Sequence, residues 1–410
     1  MNLSVMTLQK HVNILCAGLM LLFGCTTMNG PVKADVGVYR VGRIAVLPVE
    51  NLSSSPAPLT EIRRSFTEKL KGAGFDVMEE EKLGQFMEKQ RMRDISGLND
   101  VLARAFKEDT GATGVLITSV ELYDDKSPPK IALSARLVST GENPEIIWAD
   151  GIGLAGDDAP GLLDLGLIED PKILLDKATT ALSNSMVGFF SGEESRDKSP
   201  DETLERFKPD ADYVSVPVVS FFPGEESRDK GPDETLERFK PKVDYLSAQV
   251  GIGVQKAPPR LAIMPFTNVT DRKYAAEIIV LHFVREFFKG KHFTVVEPGL
   301  IKEKLLDYRI ILYEGISLAD ADLIAGELKA DLVLTGQVLD YQDYAGVFSK
   351  PKVDFSILLI DRKTGEVAWS SRSHNEGDDA VYFFDWGRVN TAHVLAAEMA
   401  RAVERMISRK

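Results

Sequence analysis

The ten residues IAVLPVENLS, beginning at Ile44, return as LAIMPFTNVT beginning at Leu261. Each copy is a short apolar run stopped by a proline (Pro48, Pro265), then an asparagine (Asn51, Asn268) and a hydroxyl residue. A buried strand that feeds a turn is expected at both places. The two asparagines read as loop residues whose side chains bond nearby backbone. Other positions repeat at a constant spacing of 221: Trp148 with Trp369, the Gly156–Ala159 run GDDA with Gly377–Ala380, and Gly166 with Gly387. The duplication therefore covers a whole folding unit, and the chain must build that unit twice.

Both units carry the same order of signals. A helix follows the first strand. Ile62, Phe66 and Leu70 mark it in the first unit, with Gly72 and Gly74 ending it, and Ala276, Val280, Phe283 and Phe287 mark it in the second, over 273–289. Short strands FDVME and FTVVE come next, then more helix, including a capping box at Ser317 and Asp320. Three strands follow in each: GVLITSVELY, KIALSARLV and EIIWAD, then DLVLTGQVLDY, VDFSILLID and EVAWSS. A helix closes each unit. The clearer one, over 390–408, has Ala392, Leu395, Met399, Val403 and Met406 on one stripe. Strands that fold back through short turns, packed with amphipathic helices, predict an α+β fold: two tandem domains, each a mixed sheet covered by helices. The expected division is 1–24 signal peptide, 25–41 tether, 42–187 first domain, 188–256 linker and 257–410 second domain.

The chain of 410 residues is long enough for two such cores. Its net charge of −13 speaks against nucleic acid as a partner, because phosphate contacts need a basic face. Two cysteines, Cys16 and Cys25, cannot build a disulfide framework. Both belong to the N-terminus, where the apolar run 12–23 is too short to span a membrane but suits a signal-peptide core. That run ends in Leu22, Phe23, Gly24 and Cys25, which resembles the lipobox of bacterial lipoproteins. The resemblance implies cleavage before an acylated Cys25, which would anchor the chain in lipid. It also implies the outer membrane, since Thr26 rather than Asp follows the cysteine.

Between the units lies a different repeat. FFSGEESRDKSPDETLERFKP at Phe189 returns almost unchanged as FFPGEESRDKGPDETLERFKP at Phe221. Its acidic helical segments read as a solvated spacer. Just beyond, Leu246, Ala248, Val250, Ile252 and Val254 alternate with Ser247, Gln249, Gly251 and Gly253. This is the pattern of a membrane β-strand or of a short soluble one.

No catalytic grouping stands out: there is no phosphate-binding loop, nucleophile elbow or paired-histidine zinc motif. His282 and His393 stand alone on predicted helices and read as surface or packed residues. His374 with Asp378 and Asp379 is the one candidate metal set, although a polar loop explains it as well. Trp148 and Trp369 read as strand core. No cofactor is expected, and no enzyme activity.

The repeated pattern resembles an envelope superfamily that includes the curli-secretion channel lipoprotein, the N-terminal domain of TolB and the outer-membrane lipoprotein activator of peptidoglycan synthase. The second unit carries the resemblance through Pro265, Asn268, Asp331, Thr335, Gly336, Thr364, Gly365 and Trp369. The first does so through Pro48 and Asn51, with Gly114 and Ser119 standing for Asp331 and Gly336. The resemblance implies binding rather than catalysis. The expectation is an outer-membrane lipoprotein adaptor or assembly factor that engages periplasmic or outer-membrane proteins. The alternative is a homo-oligomeric secretion-pore subunit with 246–254 in the membrane.

Overall fold

A computed structural model describes residues 41–158, 166–192, 237–247, 257–312, 315–343, 350–379, 381 and 388–408. The described residues form one compact unit. The first half runs β1 (Arg43–Val46), β2 (Glu50–Asn51), α1 (Leu59–Gly72), α2 (Glu80–Lys89), α3 (Asp100–Ala105), β3 (Ala112–Asp124), β4 (Lys130–Ser139), β5 (Ile146–Ala155) and α4 (Pro171–Ser191). An edge strand, β6 (Lys242–Leu246), precedes the second half. There β7 (Arg260–Ile263), β8 (Thr267–Asn268), α5 (Ala275–Gly290), β9 (Thr294–Val295), α6 (Pro298–Asp307) and α7 (Leu318–Glu327) lead to β10 (Leu332–Gln342), β11 (Lys352–Asp361), β12 (Glu366–Glu376) and α8 (Ala392–Ser408).

The fold is α+β, with two mixed sheets of the same plan. In the first, β1 and β2 run parallel to β3, and β3, β4 and β5 follow as antiparallel neighbours. In the second, β7 and β8 run parallel to β10, followed by β11 and β12, and β6 adds to the outer edge of β12. One expected strand is missing: FDVME contributes only a single bridge, Val77 to Ile44, because α2 starts at Glu80 and leaves no room for a ladder. Helix α5 begins at Ala275 rather than at 273, since Tyr274 takes a left-handed conformation (φ 64°) that a helix cannot include.

The repeated turns are built alike. Asn51 Oδ1 accepts from Ser53 N at 3.0 Å while its Nδ2 donates to Ser55 O at 2.8 Å. Asn268 does the same with Thr270 N (3.0 Å) and Arg272 O (2.9 Å). Asp331 Oδ2 accepts from Arg260 N at 2.8 Å, which ties β7 to β10. Gly336 is required because a Cβ there would strike the Phe266 ring and Ser356 O. Thr364 and Gly365 make the β11–β12 turn, and Trp369 is buried with its Nε1 on Ser371 Oγ at 2.9 Å. Strand pairing corrects one alignment. Leu261 faces Leu332 as Ile44 faces Gly114, so Thr113 and Thr118, not Gly114 and Ser119, stand where Asp331 and Gly336 do. The one-residue slip matters, since side chains alternate faces along a strand.

Helices α1 and α4 cover one face of the first sheet through Ile62, Phe66, Leu70, Leu174 and Leu182. The corresponding pair, α5 and α8, covers the second sheet through Phe283, Phe287, Leu395 and Met399. Helix α5 buries most of its surface, with Glu277 and Lys289, near its two ends, exposed. Its far side meets the first sheet: Ile146 and Ala149 of β5 join the same core as α5 and α8. The first sheet is thus stacked on the helices of the second unit. Gly151 and Gly153 on β5 permit it, because a Cβ at Gly151 would collide with Arg285 and one at Gly153 would crowd Thr391 and His393. At the same spacing of 221, the second sheet has Arg372 and His374, both exposed. Those side chains prevent the second sheet from accepting a helix pair the same way. Gly151→Val is expected to lower stability by about 1–3 kcal/mol through overpacking, measured by thermal unfolding.

Candidate functional site

The stacked interface holds the densest group of buried ionisable side chains. Both β3 and β10 carry a bulge at the same place, where Glu121 and Leu339 are the extra residues. A bulge re-aims a side chain. Here it sends Glu121 toward α5 and α8, fully buried. Glu121 Oε2 lies 2.5 Å from His393 Nδ1 and 3.3 Å from His282 Nε2, the latter within ion-pair reach but poorly aligned as a hydrogen bond. Ser134 Oγ donates to the other carboxylate oxygen. One turn beyond His282, Arg285 reaches the outer nitrogens of both rings: Nη2 to His282 Nδ1 at 3.0 Å and Nη1 to His393 Nε2 at 3.3 Å. Arg285 Nε donates to Glu286 at 2.7 Å, and Arg401 holds the other Glu286 oxygen at 3.1 Å.

The donors decide the tautomers. Arginine can only donate, so His282 Nδ1 and His393 Nε2 accept. Each ring then has its proton on the inner nitrogen: that of His393 is bonded to Glu121, and that of His282 lies beside the same carboxylate oxygen. Burial pushes the His282 imidazole down to about 4, with His393 and Arg285 adding and Glu121 opposing. Burial alone would raise the Glu121 carboxyl, but His393 and His282 hold it well below the usual carboxylate range.

Glu121, His282 and His393 also bring three potential metal-ligand atoms within 4.8 Å of one another. The surrounding donors do not suit a cation. A metal on the inner nitrogens would require protons on the outer ones, where metal-bound histidines normally find acceptors. Arg285 places N–H groups there instead, and its positive charge opposes a second cation. The cluster fits a polar lock between the two sheets.

Three further contacts surround it. Arg136 on β4 and Glu297 at the start of α6 form a two-point buried pair, Nε to Oε2 and Nη2 to Oε1, both 3.0 Å. Glu297 also accepts from Leu98 N at 3.3 Å, beside Gly97 and Gly299, which cross too closely for any Cβ. Arg272, in the second repeated turn, donates to Leu52 O (2.9 Å) in the first turn and to Glu121 O (2.7 Å). Asn390 Nδ2 reaches Asp158 Oδ1 at 3.0 Å. The two copies of the opening motif therefore meet at this interface.

The candidate metal set from sequence does not come together. His374 Nδ1 pairs with Asp354 Oδ2 at 3.2 Å, Asp378 with Lys350, and Asp379 accepts from Glu376 N at 2.7 Å. Each has a separate structural partner. Leu246 ends β6 opposite Trp369 and packs on the core, so a soluble sheet accounts for the first residue of the alternating stretch. Ala248, Val250, Ile252 and Val254 lie outside the described residues, as do Cys25 with Leu22, Phe23 and Gly24, and most of the acidic repeat. His282 and His393, read from sequence as isolated, are the centre of the lock. The available signal was α5 itself: His282, Arg285 and Glu286 sit among Ile278, Ile279, Phe283, Val284 and Phe287, in the stretch between the exposed Glu277 and Lys289.

No family model and no curated protein matches the chain. Solved structures do. PelC from Paraburkholderia phytofirmans, solved as a dodecamer, is 20% identical, with 36% of this chain and 89% of that chain covered at a TM-score of 0.26. The lipoprotein GNA1162 from Neisseria meningitidis is 19% identical (35% and 99% covered, TM-score 0.26). The C-terminal domain of LpoB from Salmonella enterica is 18% identical (30% and 86% covered, TM-score 0.24). Each is matched over most of its own length by about a third of this chain. TolB from Acinetobacter baumannii is 12% identical, with 40% of this chain and 31% of that chain covered at a TM-score of 0.20.

Acid should weaken the lock. A histidine whose folded pKa is depressed contributes stability that is full above its unfolded value of 6.5 and is lost as pH falls toward about 4. Glu121, held low, adds a loss below 4.5. Asp343, raised by burial, works in the opposite direction. In urea unfolding at pH 7 and pH 4.5, the wild type is expected to lose about 2 kcal/mol more than His282→Gln. Equal losses would contradict the assignment.

Proposed function

We propose that this protein is a non-enzymatic outer-membrane lipoprotein, anchored through an acylated Cys25, that acts as an adaptor or assembly factor for periplasmic or outer-membrane proteins. The supporting observation is the difference between its two sheet faces. On the first sheet that face is consumed by α5 and α8. On the second it stays open among the described residues and presents Tyr245, Leu358, Arg372 and His374. Asp354 beneath them holds the Arg372 guanidinium at two points, 3.0 and 2.6 Å. A tyrosine, an arginine and an aliphatic side chain on a rigid sheet make the kind of surface at which protein partners find most of their binding energy. Duplication then supplies one docking face braced by a second unit rather than two equal ones.

Nothing in the chemistry of the described residues favours catalysis. The ionisable cluster is buried and mutually paired. A cleft of about 520 Å³ beside β1 is lined by Arg43, Asp76, Lys89 and Asp109, which pair with one another, and by Phe86. No acid, base and nucleophile converge there.

The test is capture from lightly crosslinked envelopes in mild detergent. The wild type is expected to bring down a defined envelope protein in a complex of one or two copies of this chain. Tyr245→Ala with Leu358→Ser is expected to reduce that capture at least tenfold, and, since both side chains are exposed, to change stability by no more than about 0.5 kcal/mol. Undiminished capture by the double variant, or a large ring of identical chains in place of a foreign partner, would overturn the proposal.

A further inference from the structure

The edge strand β6 follows directly on the acidic repeat's second copy, which ends at Pro241. Its docking uses few groups. Phe239 is buried in the second core, at 3% exposure, and Pro241 is buried beside it. The Arg238 guanidinium lies 4.9 Å over the Phe239 ring and donates to Gly377 O at 3.3 Å. Asn375 Nδ2 donates to Arg238 O at 3.1 Å, and Ser247 N to Ala368 O at 3.0 Å. Along β6, only Val243 and Leu246 pack on the core.

Thirty-two residues earlier the chain carries the same groups. Residues 237–247 read ERFKPKVDYLS and residues 205–215 read ERFKPDADYVS. Arg206, Phe207 and Pro209 repeat the anchors, and Ala211 and Val214 stand for Val243 and Leu246. The remaining contacts are made by backbone, which any sequence supplies. The smaller aliphatics weaken the first copy. Its charge strengthens it: Lys242 sits directly opposite Arg372 in the ladder, a like-charge pair, whereas Asp210 would place an acid there. Moving the docked strand by one repeat shortens the connection from α4 and lengthens the one to β7. Loop cost grows only with the logarithm of length, so these changes nearly cancel.

We propose that residues 205–215 are an alternative occupant of the β12 edge, able to seat there in place of 237–247 within the same chain. The exchange transfers one 32-residue repeat from the linker before the docked strand to the connection between that strand and β7. The docking face is kept, since Tyr213 replaces Tyr245, while the reach of the linker changes.

Hydrogen exchange of β12 in the full chain tests this, using Phe207→Ala, Phe239→Ala and the double variant. Phe207→Ala should leave β12 protection unchanged. Phe239→Ala should lower it by about threefold or less, because the first copy takes over, and the double variant should lower it more than about tenfold. Phe239→Ala exposing β12 as fully as the double variant would overturn the proposal. A second readout does not depend on stability. In the Phe239→Ala background, Tyr213→Cys with Ser370→Cys should close an intramolecular disulfide, found by mass spectrometry in the monomer. Closure only between chains, or no closure, would overturn it as well.

Discussion

Arg285 is the group on which the arrangement of this molecule depends. It donates to the outer nitrogens of His282 and His393, turns their remaining protons toward Glu121, and is itself neutralised by Glu286. A buried charge network of this kind adds little net stability over an apolar core, yet is costly to break from one side. Its effect is to specify one docking of the first sheet on α5 and α8. Gly151 and Gly153 give the clearance that docking needs, and Arg136 with Glu297 fixes the rotation about it.

That docking makes two similar units unequal. The first gives up its sheet face to the interior. The second keeps its own, with Arg372 and His374 where the first has glycine. The two sheets share one plan, yet among the described residues only the second keeps this face open, and the proposed adaptor role rests on that asymmetry.

Much of the fold was legible because the repeat spacing is regular and the elements are periodic. Trp148 and Trp369, both buried in matching strands, and the stripes on α1 and α8 follow directly from local pattern. The lock was not legible, because Glu121 and His393 are 272 residues apart and no local rule joins them. Glu121 also lies in a strand whose bulge, not its alternation, decides where it points. The run of large apolar residues through the middle of α5 did hint at burial on more than one side, and His282, Arg285 and Glu286 within it marked the contact. His374, Asp378 and Asp379 misled for the opposite reason: they are near in sequence, but Asp354, Lys350 and the Glu376 amide take one each.

The central claim is that the two units form one body through this lock. Small-angle X-ray scattering on the wild type and on Arg136→Ala with Arg285→Ala, at neutral pH and with circular dichroism to confirm that both remain folded, addresses it directly. The wild type should give a single compact distance distribution, and the variant a broader one with a second maximum as the units separate. A wild-type distribution that already shows two separated bodies, unchanged in the variant, would contradict the account.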